Sequence, residues 1–288
     1  MITPFFFVFL AFISTIANRL YSKQILYKLD GFALALLTNI TGVLIMIVLV
    51  FNDLPQILTL DIYQSGLILL SGILWTYVAW AGNLSIAQNN FSFKEIIRQT
   101  RMIWVVLAGI FLLGESLTLK DIFGILLIIG SVYVISYKSF TFREHISSAP
   151  ILLAWSVAFV AAGIAILEKI ILTNYSVPVS IYAFLLYLLP SIFLSFFLTK
   201  NRYEISKEML FSDYGKILGA SILMVISYYS ALSAYKLLPI AIAYPLIQSS
   251  TVIGVLIGTF LFEDGKDWEK KALASILAVI GILIIKFL

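Results

Sequence analysis

The sequence predicts an all-α integral membrane protein whose ten transmembrane helices form two inverted five-helix repeats. Three observations carry this expectation. The 288 residues are 61% hydrophobic and 12% charged, with a mean hydropathy of +1.05, whereas soluble domains carry about 25% charged residues. The apolar residues fall in runs near the roughly 20 helical residues that cross a hydrocarbon core of about 30 Å. The second half of the chain also repeats the first at a constant offset.

Residues 4–20 open the first span, with Pro4 at a helix start, where its missing N–H costs little. No basic segment precedes this run and no small-residue cleavage pattern follows it, so it is expected to remain as a span. Residues 32–51 form the second span, which ends at the breaker Asn52-Asp53-Leu54-Pro55. The third runs from about 64 to 85, the fourth over 91–115 and the fifth over 122–137. A polar stretch, 139–149, separates the halves. The sixth span is 150–170, and the seventh is 179–198, with Pro190 inside it. Residues 200–216 are the longest and most charged connection. The eighth, ninth and tenth spans are 217–235, 240–262 (containing Pro245) and 272–287. The chain thus divides into a first repeat, 1–138, a connecting loop, 139–149, and a second repeat, 150–288.

Adding 149 to Gly66, Gln99, Gly109 and Phe111 reaches Gly215, Gln248, Gly258 and Phe260 in one unbroken register. Five spans per half is an odd number, so the second half enters the membrane in the opposite orientation. Inverted repeats mark many transporters, which bind substrate near the midplane between the repeats.

Composition excludes several function classes. The net charge is +4, and no basic patch with interleaved aromatics is present, so nucleic acid is not an expected partner. With no cysteine, disulfides and thiolate metal sites are excluded. The single histidine, His145, lies in a polar connection and cannot build a His-rich centre, so neither metal nor other cofactor is expected. HExxH, GxSxG and phosphate-cradling Gly-rich motifs are missing. An enzyme is therefore not expected.

The fourth span carries the unusual chemistry. Its uninterrupted apolar run, 102–113, is only about 18 Å long at 1.5 Å per residue. Filling the hydrocarbon core from Gly114 reaches back to Glu95, which places Arg98 roughly 5 Å and Arg101 roughly 9 Å inside it. Glu95 and Arg98 are three residues apart, as are Arg98 and Arg101, so neighbours can touch on one helix flank. One reading is a Glu95–Arg98 ion pair within the membrane, with guanidinium groups facing a cavity and holding a carboxylate or phosphate bidentately. The other is that both arginines snorkel to headgroups. The ninth span offers Tyr244, Pro245, Gln248, Ser249, Ser250 and Thr251. Gln99 and Gln248 are expected to face each other across the pseudo-twofold axis, either at a cavity or as interhelical struts. Trp80 and Tyr229 match at the 149 offset and, with Trp104 and Tyr244, are candidate cavity walls. Gly254 and Gly258 read as a close-packing ridge. Arg19, Lys23, Glu168 and Lys169 fall at span ends, where the rim is expected.

The segment LLGESLTLKDIFGILLIIGSVYVIS closes the first half: a helix ending in Gly114-Glu115, a short turn, then a helix with Gly124 and Gly130. FLFEDGKDWEKKALASILAVIGILIIK closes the second, keeping Glu263 and Gly281 but placing Phe262 before the acid and lengthening the turn. Together with Tyr244-Pro245, this resembles the EamA-like family of the drug/metabolite transporter superfamily over the whole chain. The resemblance implies a carrier that moves small organic metabolites by alternating access, often as an exporter, with Glu115 and Glu263 as structural residues at helix ends. It also implies cytoplasmic termini. Charge implies the reverse, because 12 of the 19 Lys and Arg residues lie in or beside the odd-numbered connections and 4 on the opposite side.

The reading expected from sequence is a multi-pass secondary transporter of the cytoplasmic membrane, exporting a small anionic or zwitterionic, amino acid-like metabolite. Arg98 and Arg101 would hold the negative group. Gln99 and Gln248 would hydrogen-bond, and Trp80, Trp104, Tyr229 and Tyr244 would line the path. The expected partners are the substrate, the lipid bilayer and a coupling proton or counter-substrate, and the carrier is expected to be a monomer. Alternatives are a cation or multidrug exporter using Glu95, and a non-transporting membrane scaffold.

Overall fold

The computed structural model describes residues 2–26, 31–87, 99–136, 149–261 and 268–287, which are helical apart from short turns and contain no strand. The first half holds α1 (Ile2–Leu26), α2 (Gly31–Val50), a single 3₁₀ stretch (Leu54–Thr59), α3 (Ile62–Ala87), α4 (Arg101–Phe111) and α5 (Leu119–Ser136). The second holds α6 (Ala149–Thr173), α7 (Val179–Ser195), α8 (Lys200–Ser212), α9 (Tyr214–Leu237), α10 (Ile240–Gln248), α11 (Ser250–Leu261) and α12 (Trp268–Phe287).

Among the described residues, six stretches are long and apolar enough to cross a membrane: Thr3–Tyr21, Phe32–Val50, Ile62–Ala81, Leu152–Thr173, Tyr214–Leu237 and Ile240–Ile257. The outer surface suits a lipid solvent. Phe9, Val48, Leu49, Phe111, Leu126 and Phe159 are all largely exposed. Apolar side chains exposed on this scale would be an aggregation liability in water but are neutral in hydrocarbon.

Helix pairing crosses the halves. α1 lies on α9 and α3 on α6, while α2 lies on α7, α4 on α10 and α5 on α12. Hydroxyl pairs tie the first two contacts, Thr15 to Ser227 at 2.6 Å and Tyr77 to Ser156 at 2.6 Å. Such bonds suit a solvent that offers hydroxyl groups no other partner.

Two elements differ from the sequence expectation. Residues 200–212, expected as a loop, form α8. The Thr199 side chain caps its N-terminus. Ser206 and Met209 turn inward, with Ile205 beside them, against Ala33, Leu34 and Leu37 of α2, and the Arg202 guanidinium sits 4.3 Å above the Phe32 ring. The spacing of its inward residues is helical, but the high charge masks it. The ninth segment is also not one helix, because it breaks between α10 and α11 at Ser249.

The glycines of the two closing helices meet. A Cβ on Gly281 would lie 2.6 Å from the Gly124 carbonyl oxygen, and one on Gly124 would lie 2.8 Å from that of Gly281. α5 and α12 therefore cross at backbone contact, which only glycine permits. Gly281→Leu is expected to force the helices apart and lower the thermal midpoint of the purified protein, whereas Gly130→Leu, where a Cβ would meet nothing within 4 Å, should be tolerated. Equal midpoints for the two variants would contradict this crossing.

Candidate functional site: a charged and aromatic cluster between the halves

Two helix breaks stand in the same register. Thr100, just before α4, has φ −60° and ψ −22°, and Ser249, between α10 and α11, has φ −60° and ψ −19°. The two positions are 149 residues apart, the repeat offset. At Ser249 the hydroxyl donates to the Leu246 carbonyl at 2.6 Å, the kind of back-bonding that loosens and bends a helix. Each break follows a glutamine. Gln99, 4% exposed, donates from Nε2 to the Thr251 hydroxyl at 3.1 Å, which links the fourth segment to the ninth. Gln248 Oε1 and Ser250 Oγ are buried without hydrogen-bond partners among the described residues.

Arg101 follows the first break. Its guanidinium carbon is 6.0 Å from the centroid of Tyr244, a cation–π distance. Tyr244 is itself stacked on Tyr235 at 6.0 Å and 27°. Arg101 Nε is buried and, among the described residues, has no hydrogen-bond partner and no carboxylate within 4.0 Å. An arginine so placed has donors to offer a ligand.

Glu168 was expected at a rim and instead lies inside, at 2% exposure. α6 continues past it to Thr173, with Ile171 and Leu172 fully buried; the first charged residue in this run does not end the span. Glu168 Oε1 accepts from Trp75 Nε1 at 3.1 Å and from the Tyr228 hydroxyl. Trp75 Nε1 also lies 2.9 Å from the Tyr228 oxygen, and the two rings meet edge to face at 5.6 Å. Tyr187 meets Tyr228 edge to face at 6.3 Å. Its ring fits only because Gly42 lacks a Cβ, which would stand 2.7 Å from it. Glu168 lies within electrostatic reach of Arg101. Sequence reading missed this cluster because Trp75, Glu168, Tyr187 and Tyr228 come from four helices with no shared spacing. The one available signal was an adjacent acid and base, Glu168-Lys169, with apolar sequence on both sides of the pair.

Glu115 and Lys169 clamp the turn between α9 and α10. Glu115 accepts from Ile240 N at 2.7 Å and Ala241 N at 2.9 Å, so an acid from the first half caps an N-terminus in the second, where the helix dipole favours negative charge. Gly114, at φ +66°, ends α4 in the left-handed region and turns the chain so that Glu115 can reach across. Gly109 leaves room, because a Cβ there would lie 2.8 Å from Glu115 Oε2. Lys169 Nζ donates to the carbonyls of Tyr235 and Leu238, both at 2.7 Å, closing the C-terminal end of α9. Its charge is spent on this contact rather than on snorkelling.

The remaining sequence candidates are scattered. Trp80 lies between Tyr77 and Phe197, both at 6.4 Å. Trp104 is 41% exposed and meets the outward Phe159, away from the buried cluster. Tyr229 is partly buried against the core. Gly254 makes no close contact, its nearest neighbour being Ile16 at 4.0 Å. Glu95, Arg98, Glu263 and His145 lie outside the described residues, as does the Glu95–Arg98 pair. Among the described residues, no three acidic or histidine side chains gather as they would around a metal ion.

An all-helical chain with an apolar exterior and charges buried between its helices is a multi-pass membrane protein. The triose-phosphate transporter family model matches residues 3–152, just over half of the chain. The chain therefore belongs to that transporter family, within the same drug/metabolite transporter superfamily as the EamA-like proteins it resembles. No curated protein matches it in sequence. Among solved structures, one crystal structure titled only as that of a protein covers 99% of this chain and 96% of its own, with a TM-score of 0.74 and 15% identity. That likeness concerns the fold.

Glu115→Ala should cost about 1–3 kcal/mol, the usual loss for a charge-assisted bond to buried donors, read as a lower thermal midpoint. Gly109→Ala should act in the same direction by displacing the carboxylate. If neither variant lowers the midpoint, the cap does not contribute to stability.

Proposed function

We propose that this transporter is a secondary carrier of a small anionic or zwitterionic metabolite, that it works by alternating access, and that it exports its substrate across the cytoplasmic membrane. Arg101 is the anchor for the negative group. The observation that carries this reading is its guanidinium, seated over Tyr244 with Nε buried and without a hydrogen-bond partner among the described residues. A cation within a membrane protein that keeps a buried donor unbonded is costly. An anionic ligand would remove the cost by supplying paired acceptors to the guanidinium fork. The family is named for triose phosphates, which are anionic too. Gln248 and Ser250, each with a buried oxygen lacking a partner among the described residues, are the polar groups nearest in register.

The same reading takes the fold as ten transmembrane helices in two inverted five-helix repeats, 1–138 and 150–288. The crosswise pairing of α1 with α9 and α3 with α6 supports it, as do helix breaks one repeat apart at Thr100 and Ser249. Broken helices paired across a pseudo-twofold axis are a common setting for a substrate site. The carrier works as a monomer in this proposal, coupled to a proton or a counter-substrate. The charge bias places the odd-numbered connections, α8 among them, in the cytoplasm. The export direction rests on the EamA-like resemblance.

A metabolite panel screened by thermal shift should identify ligands, since binding to the native state raises its stability. For any anionic hit, Arg101→Ala in proteoliposomes should lower transport about tenfold or more, the equivalent of about 1.4 kcal/mol, while the variant stays monodisperse. Arg101→Lys, which keeps the charge but not the planar fork, should recover only part of the loss. Full transport by Arg101→Ala would remove Arg101 from the site.

A further inference from the structure

Five of the 13 residues of α8 are charged, yet the helix packs on the ends of membrane spans. Its inward stripe meets Ala33, Leu34 and Leu37 of α2 and Ile217 and Ala220 of α9, with Tyr21 of α1 beside them. These α2 and α9 residues lie in the first two turns of the spans Phe32–Val50 and Tyr214–Leu237, and Tyr21 is the last residue of the span Thr3–Tyr21. α8 therefore sits at the edge of the hydrocarbon layer.

Its outward surface is divided in a way that suits this position. Lys200, Tyr203, Lys207 and Leu210 follow one another at spacings of three and four residues, so they form one stripe along the helix. All four are exposed. Asn201, Glu204, Glu208 and Ser212 form a second exposed stripe by the same rule, and it holds both acids. Phe211, 79% exposed, stands between the two, and Phe196, 78% exposed, lies just before the helix. Rings at this level belong to a membrane interface, where lysine stems lie along apolar surface and their ammonium groups reach the headgroups.

The fold makes no use of the two lysines. Arg202 is turned inward, donating from Nη1 to the Phe197 carbonyl at 3.2 Å and lying 4.3 Å above the Phe32 ring. Lys216, just beyond α8, pairs with Asp213. Among the described residues neither Lys200 nor Lys207 has an ion pair within 4.0 Å. Glu204 is four residues from one and three from the other, spacings at which a helix can pair charges, but it belongs to the opposite stripe.

We propose that α8 is a docking surface for anionic phospholipids of the surrounding leaflet. Lys200 and Lys207 hold the headgroup phosphates, Tyr203, Leu210 and Phe211 rest at the top of the acyl chains, and the acidic stripe faces water. Charge complementarity commits the face to this occupant. The lysines and arginines of the chain concentrate in the odd-numbered connections, and α8 lies in one of them, so this end of the bundle attracts negative lipid. α8 joins α7 to α9 and packs on α2 of the other half. A lipid held there therefore bears on a contact between the halves. The proposal does not depend on Arg101.

The test uses the full chain in lipid nanodiscs. With no native cysteine, one fluorophore at a time can be attached, to Phe211→Cys on the lipid side or to Asn201→Cys on the water side. The bilayers hold phosphatidylcholine and phosphatidylglycerol at about three to one, with quenching brominated chains on only one of the two lipids at a time. Quenching at Phe211→Cys should report an affinity for phosphatidylglycerol about fivefold or more above that for phosphatidylcholine, and added salt should shrink the difference. Quenching at Asn201→Cys should be weak with either lipid.

Lys200→Gln combined with Lys207→Gln should bring the two affinities together. It should leave the thermal midpoint in phosphatidylcholine unchanged, since both side chains are exposed. Lys200→Arg combined with Lys207→Arg, which keeps the charge, should retain the preference. Equal affinities at Phe211→Cys in the otherwise unchanged chain, or a preference that survives the double glutamine variant, would overturn the proposal. So would a Phe211→Cys label shielded from both lipids, the result expected if a second copy of this chain covered the face.

Discussion

An ion in a hydrocarbon core must find a partner or be neutralised, and the interior of this protein is arranged around that constraint. Four of the described ionisable side chains between the helices each have a specific neighbour drawn from another helix. Glu115 holds two backbone N–H groups of α10, and Lys169 holds two carbonyls at the end of α9. Glu168 is held by an indole and a phenol. Arg101 is met by an aromatic face, and its Nε has no hydrogen-bond partner among the described residues. The first two ions are used to build the fold. Arg101 keeps a donor that no described residue uses.

The two structural ions also explain how the site is positioned. Both act on the turn between α9 and α10, one from the α4–α5 connection and one from α6, so α10 is set against α4 by charge as well as by packing. Gly109 lets the backbones approach closely enough for this. α10 carries Tyr244 and ends at the Gln248–Ser250 break, while α4 carries Arg101 just after the break at Thr100. Fixing α10 on α4 therefore fixes the arginine on its tyrosine. The same α9 that Lys169 caps contributes Tyr228, which holds Glu168, and Tyr235, which stacks on Tyr244.

How far the sequence could be read depended on whether the signal was local. Apolar runs near the bilayer thickness located the helices, and the 149-residue register paired Gln99 with Gln248, positions that prove to stand at matching helix breaks. Gly124 and Gly281 were recognised as a shared motif, though not as the two sides of one contact. α8 was hidden because its charge outweighed its inward stripe of Ile205, Ser206 and Met209. Glu168 was hidden for a different reason: a charged residue looks like the end of a span, and only the packed structure shows Ile171 and Leu172 buried beyond it. Arg101 stood out because its cost in a membrane can be computed from position alone. Its neighbour Tyr244 is 143 residues away, and no spacing rule would have joined them.

The account turns on Arg101 facing a water-accessible path between the halves rather than lipid headgroups or a sealed core. The chain contains no cysteine, so Arg101→Cys introduces a single thiol without background. Labelling in sealed vesicles with a membrane-impermeant thiol reagent reads its exposure directly. The account predicts that the thiol reacts with the impermeant reagent from an aqueous side. A thiol that reacts only with a lipid-soluble reagent, or with neither, would contradict it.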